Sequence, residues 1–584
     1  MTLSYINAAP APRPSIAQGI NPDDPIVVSH NQIYSALMEQ VTTSHTQDNA
    51  LVFLDPFTTS PLSFYIGIWS DASDTATISV SDVNGNFPVM TFTQPVVAGA
   101  NLIPAAGLLP GIQNKVTVVS ASGSTLLPLI ETAPLPPTDA DVSDPTDPAN
   151  YNLFPQITVN SLAADESLLA DGLYFISYFD RNNLALDNKG NVRWYTVKSM
   201  PSNNLLRLAN GHFVSSAVAQ SGYLKMYEFD MVGRVHAMYD LDNAFHHSLY
   251  QQSSAYAYKG VNNCLVAASE YMPGTRPDGG LSIEDGVSII SLETGEEIDY
   301  YDMVQVLGLS RAERPSNPPD TAGGTLDWLH INQAYINETN NMLITSGRNQ
   351  SVVFGLKVGT YDLSFIMGTH SDWPDELSRY LLTPLRADGT PYDLTDPQQA
   401  QEADAVFWNW GQHNVLEIPN ATPGIIDISL FNNSNYRSRS DANSVLPQDN
   451  ESRIGHYRIN LNTMTVQMLA EYASGPEGYS SLCGCKQEMA NGNIVVSYGG
   501  ALFDSNGLPL TCDPGYSDLA FESGNGDVEG RLPLREMNAD GVVLQDFTIG
   551  SGLYRNINNT PAGNVGIYRY NITCFRMYKL PLFG

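Results

Sequence analysis

Only ten histidines occur in the 584 residues, and three of the segments that hold them share a character: FHHSLYQQ from Phe245, DWLHINQAY from Asp327 and WNWGQHNVLEI from Trp408. Each sets a histidine at the start of a stretch that alternates like a β-strand. A neutral imidazole is a nucleophile, a proton shuttle or a metal ligand near pH 7, so the chemistry on offer is covalent transfer, acid–base work or metal binding. One such histidine is more often a structural residue bonded to a backbone carbonyl. Three in matching positions, flanked by polar groups, reverse that expectation. The candidates are His247, or its neighbour His246, then His330 and His413. Asn332 stands two residues after His330 and, by the period of two along a strand, shares its face, where its amide can donate to an anion. Arg348, in ITSGRNQSVVF, follows His330 by 18 residues, on the expected next strand of the same sheet. Its guanidinium fork suits the oxygens of a tetrahedral anion.

Residues so far apart in sequence meet only if the fold brings equivalent positions together, and the pattern of turns predicts that it does. From about residue 152 onward a unit recurs: strand, tight turn, strand, then a strand that ends in a D-x-x-G-like corner before the last one. Such corners stand at Asp187 to Gly190, Asp230 to Gly233, Leu292 to Gly295, Lys357 to Thr360, Asn460 to Thr463 and Asn538 to Gly541. Six corners predict six four-stranded blades, an all-β propeller whose innermost strands start on one face of a central channel. The three histidine segments then open three inner strands and converge on the axis. Ile567 to Leu580, IYRYNITCFRMYKL, is the candidate to close the ring beside Leu173 to Phe179 and so remove an exposed sheet edge. Helical periodicity is scarce, with one short candidate around Asp375 to Leu382. Ahead of the propeller, short Val-, Thr- and Ser-rich strands such as TATISVSDV predict a small β-sandwich within residues 1–135. The Pro- and Asp-rich stretch 136–151 reads as a linker, and the propeller takes 152–584.

Composition narrows the partners. The formal charge is −33, which repels nucleic acid and anionic membrane surfaces, while a local cationic pocket can still take a small anion. No apolar run reaches the roughly 18 to 20 residues of a membrane helix. The five cysteines, Cys264, Cys483, Cys485, Cys512 and Cys574, are too few and too irregular for a disulfide framework, although one bridge to Cys512 fits an oxidising compartment. Cys483 and Cys485 lack a second close pair, so a structural zinc site has weak support. The N-terminus has neither a basic start nor an apolar stretch and, as written, is not a signal peptide. No G-x-x-x-x-G-K-[ST] or G-x-G-x-x-G stretch offers a nucleotide a cradle.

Taken together, D-W-x-H-x-N followed by S-x-R-x-Q, with H-H upstream and W-x-x-Q-H downstream, resembles the bacterial arylsulfotransferase family. The resemblance covers nearly the whole chain and implies an N-terminal sandwich followed by a six-bladed propeller. It also implies transfer of a sulfuryl group from an aryl sulfate donor to a phenol acceptor without a cofactor, in the periplasm or outside the cell. By that similarity His413 is the nucleophile that is transiently sulfurylated; His247, His330, Asn332 and Arg348 surround the transferring group, with His246 as the alternative substrate contact. A homodimer is compatible with it. Two positions depart from the family pattern: Ser248 and Asn414 stand where acidic residues commonly orient the imidazoles. A polar residue in Tyr479 to Ser481 is a further candidate for the pocket. Two other readings fit the same residues. One is a metal-dependent propeller hydrolase with His247, His330 and His413 as ligands, in which Arg348 is an unwelcome cation beside the metal. The other is a non-catalytic propeller that binds carbohydrate or protein or serves in assembly.

Overall fold

A computed structural model of the chain describes residues 17–138, 154–178, 182–201, 203–219, 222–241, 245–275, 281–309, 311, 326–473, 475, 478–504, 506–510, 527–556 and 574–583. Six sheets, each built on four antiparallel strands, follow one another along it, and two of them add a short parallel strand, Leu326–Asp327 in one and Thr383–Leu385 in the other. Their first strands are Asn203–Arg207, Phe245–Gln251, Ile331–Asn337, His413–Ile418, Cys485–Glu488 and Cys574–Leu580. Each touches the next, and the last returns to touch Asn203–Arg207, so the strands form a closed ring. This is the six-bladed propeller that the corners predict, with the first strands innermost.

All six corners join the third and fourth strands of a blade. The reason is local. In the first blade Asp187 Oδ1 accepts from the backbone of Lys189 and Asn191, and Gly190 takes the left-handed conformation that the turn requires. Asp230 and Asn538 accept in the same way from Val232 and Arg234, and from Asp540 and Val542.

The C-terminal strand closes the first blade from the inside. Cys574–Leu580 pairs antiparallel with Leu173–Tyr178, Leu580 opposite Leu173 and Arg576 opposite Ser177. A fully buried ion pair seals the closure: Lys579 Nζ meets Glu536 of the sixth blade at 2.6 Å and the Tyr174 hydroxyl of the first at 2.9 Å. Glu536 also accepts from Tyr174, Asn493 and the Ala170 backbone, so the buried charge is saturated with donors.

Two sheets make the N-terminal sandwich. Leu51–Leu54, Ser63–Ser70 and Gly99–Ala106 form one; Met90–Val96, Asp74–Asp82, Gln113–Ser120 and Gly123–Leu126 form the other. Alternate residues Phe64, Ile66, Ile78, Val80, Val116 and Val118 fill the space between them, and the same buried cluster continues through Phe154 and Leu184 to Phe547 of the sixth blade. Two pieces outside the sandwich decorate the propeller instead. Ala17–Ile20, within the stretch expected to be sandwich, pairs with Val235–Leu241 at the outer edge of the second blade. Gln156–Ser161 pairs with Val543–Asn556 outside the sixth.

Helix is sparse, and one short piece falls where the sequence pattern puts it. Asp375–Tyr380, within the expected helical stretch, is a two-turn 3₁₀ helix. The long helix is Pro25–Gln40, whose N-cap Asp24 accepts from the Ile26 backbone and whose Ile33, Tyr34, Leu37 and Met38 pack against Phe57 and Tyr65. Its apolar face is only half-buried, so the periodicity is shallow and easily missed.

Candidate active site

At the channel mouth the inner strands do not run straight. Asn204, His247, His330, Asn414 and Cys483, one from each of five blades, all have left-handed backbones, with φ of 55°, 56°, 54°, 50° and 56°. Strand register shifts beside four of them, between Asn203 and Leu206, Phe245 and Leu249, Ile331 and Gln333, and His413 and Leu416. A bulge of this kind adds a residue and re-aims side chains, and it recurs here where the histidines lie.

The re-aimed rings of His247 and His330 face one another. Their Nε2 atoms are 2.9 Å apart, a hydrogen-bond distance at which the two imidazoles share one proton. His330 Nδ1 bonds to the buried carboxylate of Asp327, and its backbone N–H, with that of Ile331, donates to Asp285. The three side chains form a line, Asp327 to His330 to His247, that can hold or move a proton. Phe575, from the closing strand, lies against the His247 ring with centroids 4.4 Å apart and offers an aromatic surface beside it. The strand that carries His246 is described, but the His246 side chain lies outside the described residues.

His413 opens the first strand of the fifth blade and is buried. Its Nδ1 lies 2.7 Å from Asn433 Oδ1 and 3.1 Å from the Gly411 carbonyl, while its Nε2 accepts from the Cys483 backbone N–H at 3.2 Å. Burial, then the Arg348 guanidinium, hold the imidazole well below the usual histidine range, with His330 adding to the effect. The ring is therefore neutral at physiological pH, with a lone pair on Nε2.

Arg348 lies just past the strand Met342–Gly347, in the turn that follows, where its backbone N–H donates to the His330 carbonyl at 3.1 Å. Its guanidinium bonds Asn349 at 2.8 Å and reaches across the channel to the Ser481 carbonyl at 3.3 Å. Asn332 departs from the period-two expectation because the bulge at His330 intervenes. Its buried amide donates to the Gln412 carbonyl at 2.6 Å and accepts from Ser346, so it braces the backbone just before His413.

Ser248 and Asn414 serve the backbone rather than the imidazoles. Ser248 Oγ accepts from the Ala334 backbone, and Asn414 Oδ1 from that of Lys486 in the next blade. The orienting groups are Asp327 and Asn433. Asp327 was legible as the first letter of D-W-x-H, three residues ahead of His330; Asn433, in a run of asparagines twenty residues after His413, carried no signal. Tyr479 to Ser481 does reach the site, through carbonyls: Ser480 O accepts from Asn433 and Ser481 O from Arg348. Cys264, Cys483, Cys485 and Cys574 are buried thiols, and Cys512 lies outside the described residues. Among the described residues no group of three or more His, Cys, Asp and Glu side chains is arranged to hold a metal ion, and no helix is long and apolar enough to cross a membrane.

Comparison with known proteins adds to this geometry. The family model described as arylsulfotransferase (ASST) matches residues 158–539, and the one described as the arylsulfotransferase Ig-like domain matches 51–134. A search of curated proteins finds no match. Among solved structures the chain is similar to hydrazine synthase of Kuenenia stuttgartiensis, 10% identical over 59% of this chain and 66% of that one, TM-score 0.24. It thus spans just under two thirds of that chain. It is also similar to an auxiliary nutrient binding protein of Bacteroides ovatus ATCC 8483, 9% identical over 83% and 94%, TM-score 0.28. A third likeness is to Hsv2p of Kluyveromyces lactis, 8% identical over 74% and 89%, TM-score 0.24. At those scores the structural likenesses carry no argument.

Proposed function

Since the chain belongs to the arylsulfotransferase family, with both its catalytic and its Ig-like regions matched, we propose that it moves a sulfuryl group from an aryl sulfate ester to a phenol by way of His413. The observation that carries this reading is the setting of His413: buried, with two acceptors at Nδ1 and a backbone N–H donating to Nε2, and with burial, Arg348 and His330 all lowering its pKa. In the first step the Nε2 lone pair, released from the Cys483 N–H, attacks sulfur, the S–O bond to the aryl group breaks, and the phenolate leaves with a proton from the His247–His330 pair, which enters this step carrying one extra proton. In the second a phenol gives its proton to that pair and attacks the same sulfur. The S–N bond then breaks and returns its electrons to Nε2. No co-reactant is needed. Sulfuryl transfer passes through a loose transition state with charge spread over its oxygens, as phosphoryl transfer does, so catalysis rests on donors around those oxygens. Arg348 is the cation suited to that role, and Phe575 the surface suited to an aryl ring. We assign the enzyme to the periplasm or the cell exterior, acting on small aryl sulfates and phenols.

The test is intact mass after brief exposure to 4-nitrophenyl sulfate without acceptor. A sulfuryl adduct is expected on the native protein and none on His413→Ala. Arg348→Ala should still form the adduct, with transfer slowed by about 10²- to 10³-fold, as for loss of one oxyanion donor. Full transfer by His413→Ala would remove that residue from the covalent step.

A further inference from the structure

The surroundings of Asn433 decide which nitrogen of His413 carries the proton. Asn433 is fully buried, and one end of its amide lies 2.8 Å from the Ser480 carbonyl and 2.8 Å from the Cys483 carbonyl. Carbonyl oxygens only accept, so the atom between them is the amide nitrogen, and both its hydrogens are committed there. The amide oxygen is left facing His413 Nδ1 at 2.7 Å, with the Gly411 carbonyl on the same nitrogen at 3.1 Å. Two acceptors at Nδ1 require that Nδ1 bear the hydrogen. The other side of the ring agrees independently: the Cys483 backbone can only donate, and it points at Nε2.

We propose that Asn433 is the positioning residue that fixes His413 as its Nδ1–H tautomer, and so makes Nε2 the atom that receives the sulfuryl group. This rests on the reading of His413 as the sulfuryl carrier. In the opposite tautomer Nε2–H would point at the Cys483 N–H and present no lone pair to sulfur. The same amide also ties the segment 480–483 to the nucleophile, so the Cys483 N–H is held against the Nε2 lone pair in the resting enzyme. A neutral partner also matters. A carboxylate at this position would favour positive charge on the ring and make the sulfurylated imidazole a poorer leaving group in the second transfer, whereas an amide oxygen orients without adding charge.

The tautomer is read directly on the full-length protein labelled with ¹⁵N in its ten histidine rings, by long-range proton–nitrogen correlation, with His413 assigned by its loss in His413→Gln. A protonated Nδ1 and bare Nε2 are expected; a protonated Nε2 or a mixture overturns the proposal whatever the activity. Asn433→Leu, which removes the nearer of the two acceptors at Nδ1 and leaves the Gly411 carbonyl, should weaken the preference for the single tautomer and slow adduct formation by roughly 10- to 100-fold, as loss of a histidine's hydrogen-bonding partner does. Asn433→Asp keeps the acceptor at Nδ1 while giving up the donors to the Ser480 and Cys483 carbonyls, so it should keep the tautomer and still form the adduct, but discharge it to phenol more slowly than the native enzyme. If the two variants lose adduct formation equally and the tautomer is native in both, Asn433 only anchors the loop and the proposal fails. A confirmed tautomer with no adduct on the native protein would instead leave the lock standing and defeat the reading of His413 as carrier.

Discussion

Asp327→Asn removes one charge from the line of groups behind His247 while keeping its shape. The Asp327 carboxylate is buried against His330 Nδ1, and the far side of that ring meets His247 at 2.9 Å. When the pair takes the proton from an attacking phenol, positive charge grows on it, and the carboxylate steadies that charge. Two unit charges about 4 Å apart at an effective dielectric constant near 20 interact by about 4 kcal/mol. With roughly half of the proton transferred at the transition state, the variant forfeits about 2 kcal/mol, a rate loss of about 30-fold. Because the asparagine can also turn its amide nitrogen toward Nδ1 and force the wrong tautomer, the loss can be larger, as in triad enzymes where the same change costs about 10⁴-fold. The assay is transfer from 4-nitrophenyl sulfate to a series of phenols of rising acidity. Unsubstituted phenol should show the full loss, an acceptor already ionised at the assay pH almost none, and the donor burst should stay close to native. An equal loss for every acceptor and for the burst would mean that Asp327 merely shapes the site, and the proton line would be refuted.

Two further outcomes concern the fold that holds the site. Lys579→Met leaves the Glu536 carboxylate buried without its cation and should lower unfolding stability by about 3 to 5 kcal/mol in denaturant titration; pairing it with Glu536→Gln, which removes the stranded charge and keeps an acceptor for Tyr174, Asn493 and the Ala170 N–H, should recover much of the loss, and a silent single variant would show that the pair does not secure ring closure. His30, on the long N-terminal helix, accepts the Val235 N–H of the second blade at 2.9 Å, and burial lowers its pKa from 6.5 to about 4. Because the unfolded chain binds a proton there near pH 6.5 and the folded one only near 4, stability is full above the upper value and falls as pH drops between the two, by up to about 3 kcal/mol. Comparison of melting at pH 7 and pH 5 in the native protein and in His30→Gln checks this: the variant should lose that part of the pH dependence, and an unchanged slope would exclude His30 as its source.

The ring of blades was legible because its signal is local and repeated. Each corner needs an Asx acceptor or a left-handed glycine at a fixed offset, and Asp187, Asp230 and Asn538 announce theirs in four letters. Closure was legible for a related reason: a C-terminal strand at Cys574–Leu580 needs a partner, and an open propeller would leave an edge. The three histidines were found by their shared place in the repeat. Asn332 shows where such reasoning stops. The period of two is a property of regular strands, and the bulge at His330 that turns Asn332 toward Gln412 depends on the blade beside it. Asn433 was out of reach for a stronger reason. Its role exists only because carbonyls from residues 480 and 483, in another blade, come to its amide nitrogen. Helix Pro25–Gln40 was missed because it covers the propeller with half-buried side chains, so its apolar stripe is weak.

The two working imidazoles are held by partners of opposite kinds, and the difference follows from what each has to do in the proposed reaction. His330 is backed by a carboxylate. Its task is to gain and lose a proton together with His247, and an anion at Nδ1 supports the charged state through which that exchange passes. His413 is backed by an amide, and burial beside Arg348 and His330 keeps it from becoming charged at rest. Its task is to bond to sulfur and then release it, so a partner that deepened the sulfurylated state would slow the second transfer by as much as it helped the first. Ser248 and Asn414, which lack the charge that the family pattern has there, bind the backbone of neighbouring blades instead. The negative charge at the site therefore comes from Asp327 and Asp285 on the proton side, while the described partners of His413 are neutral oxygens and a backbone N–H. Exchanging the two partner types, a carboxylate behind His413 and an amide behind His330, should therefore concentrate the damage on the second transfer: the donor burst stays close to native, while discharge to phenol loses both the leaving ability of His413 and the proton acceptance of the His247–His330 pair.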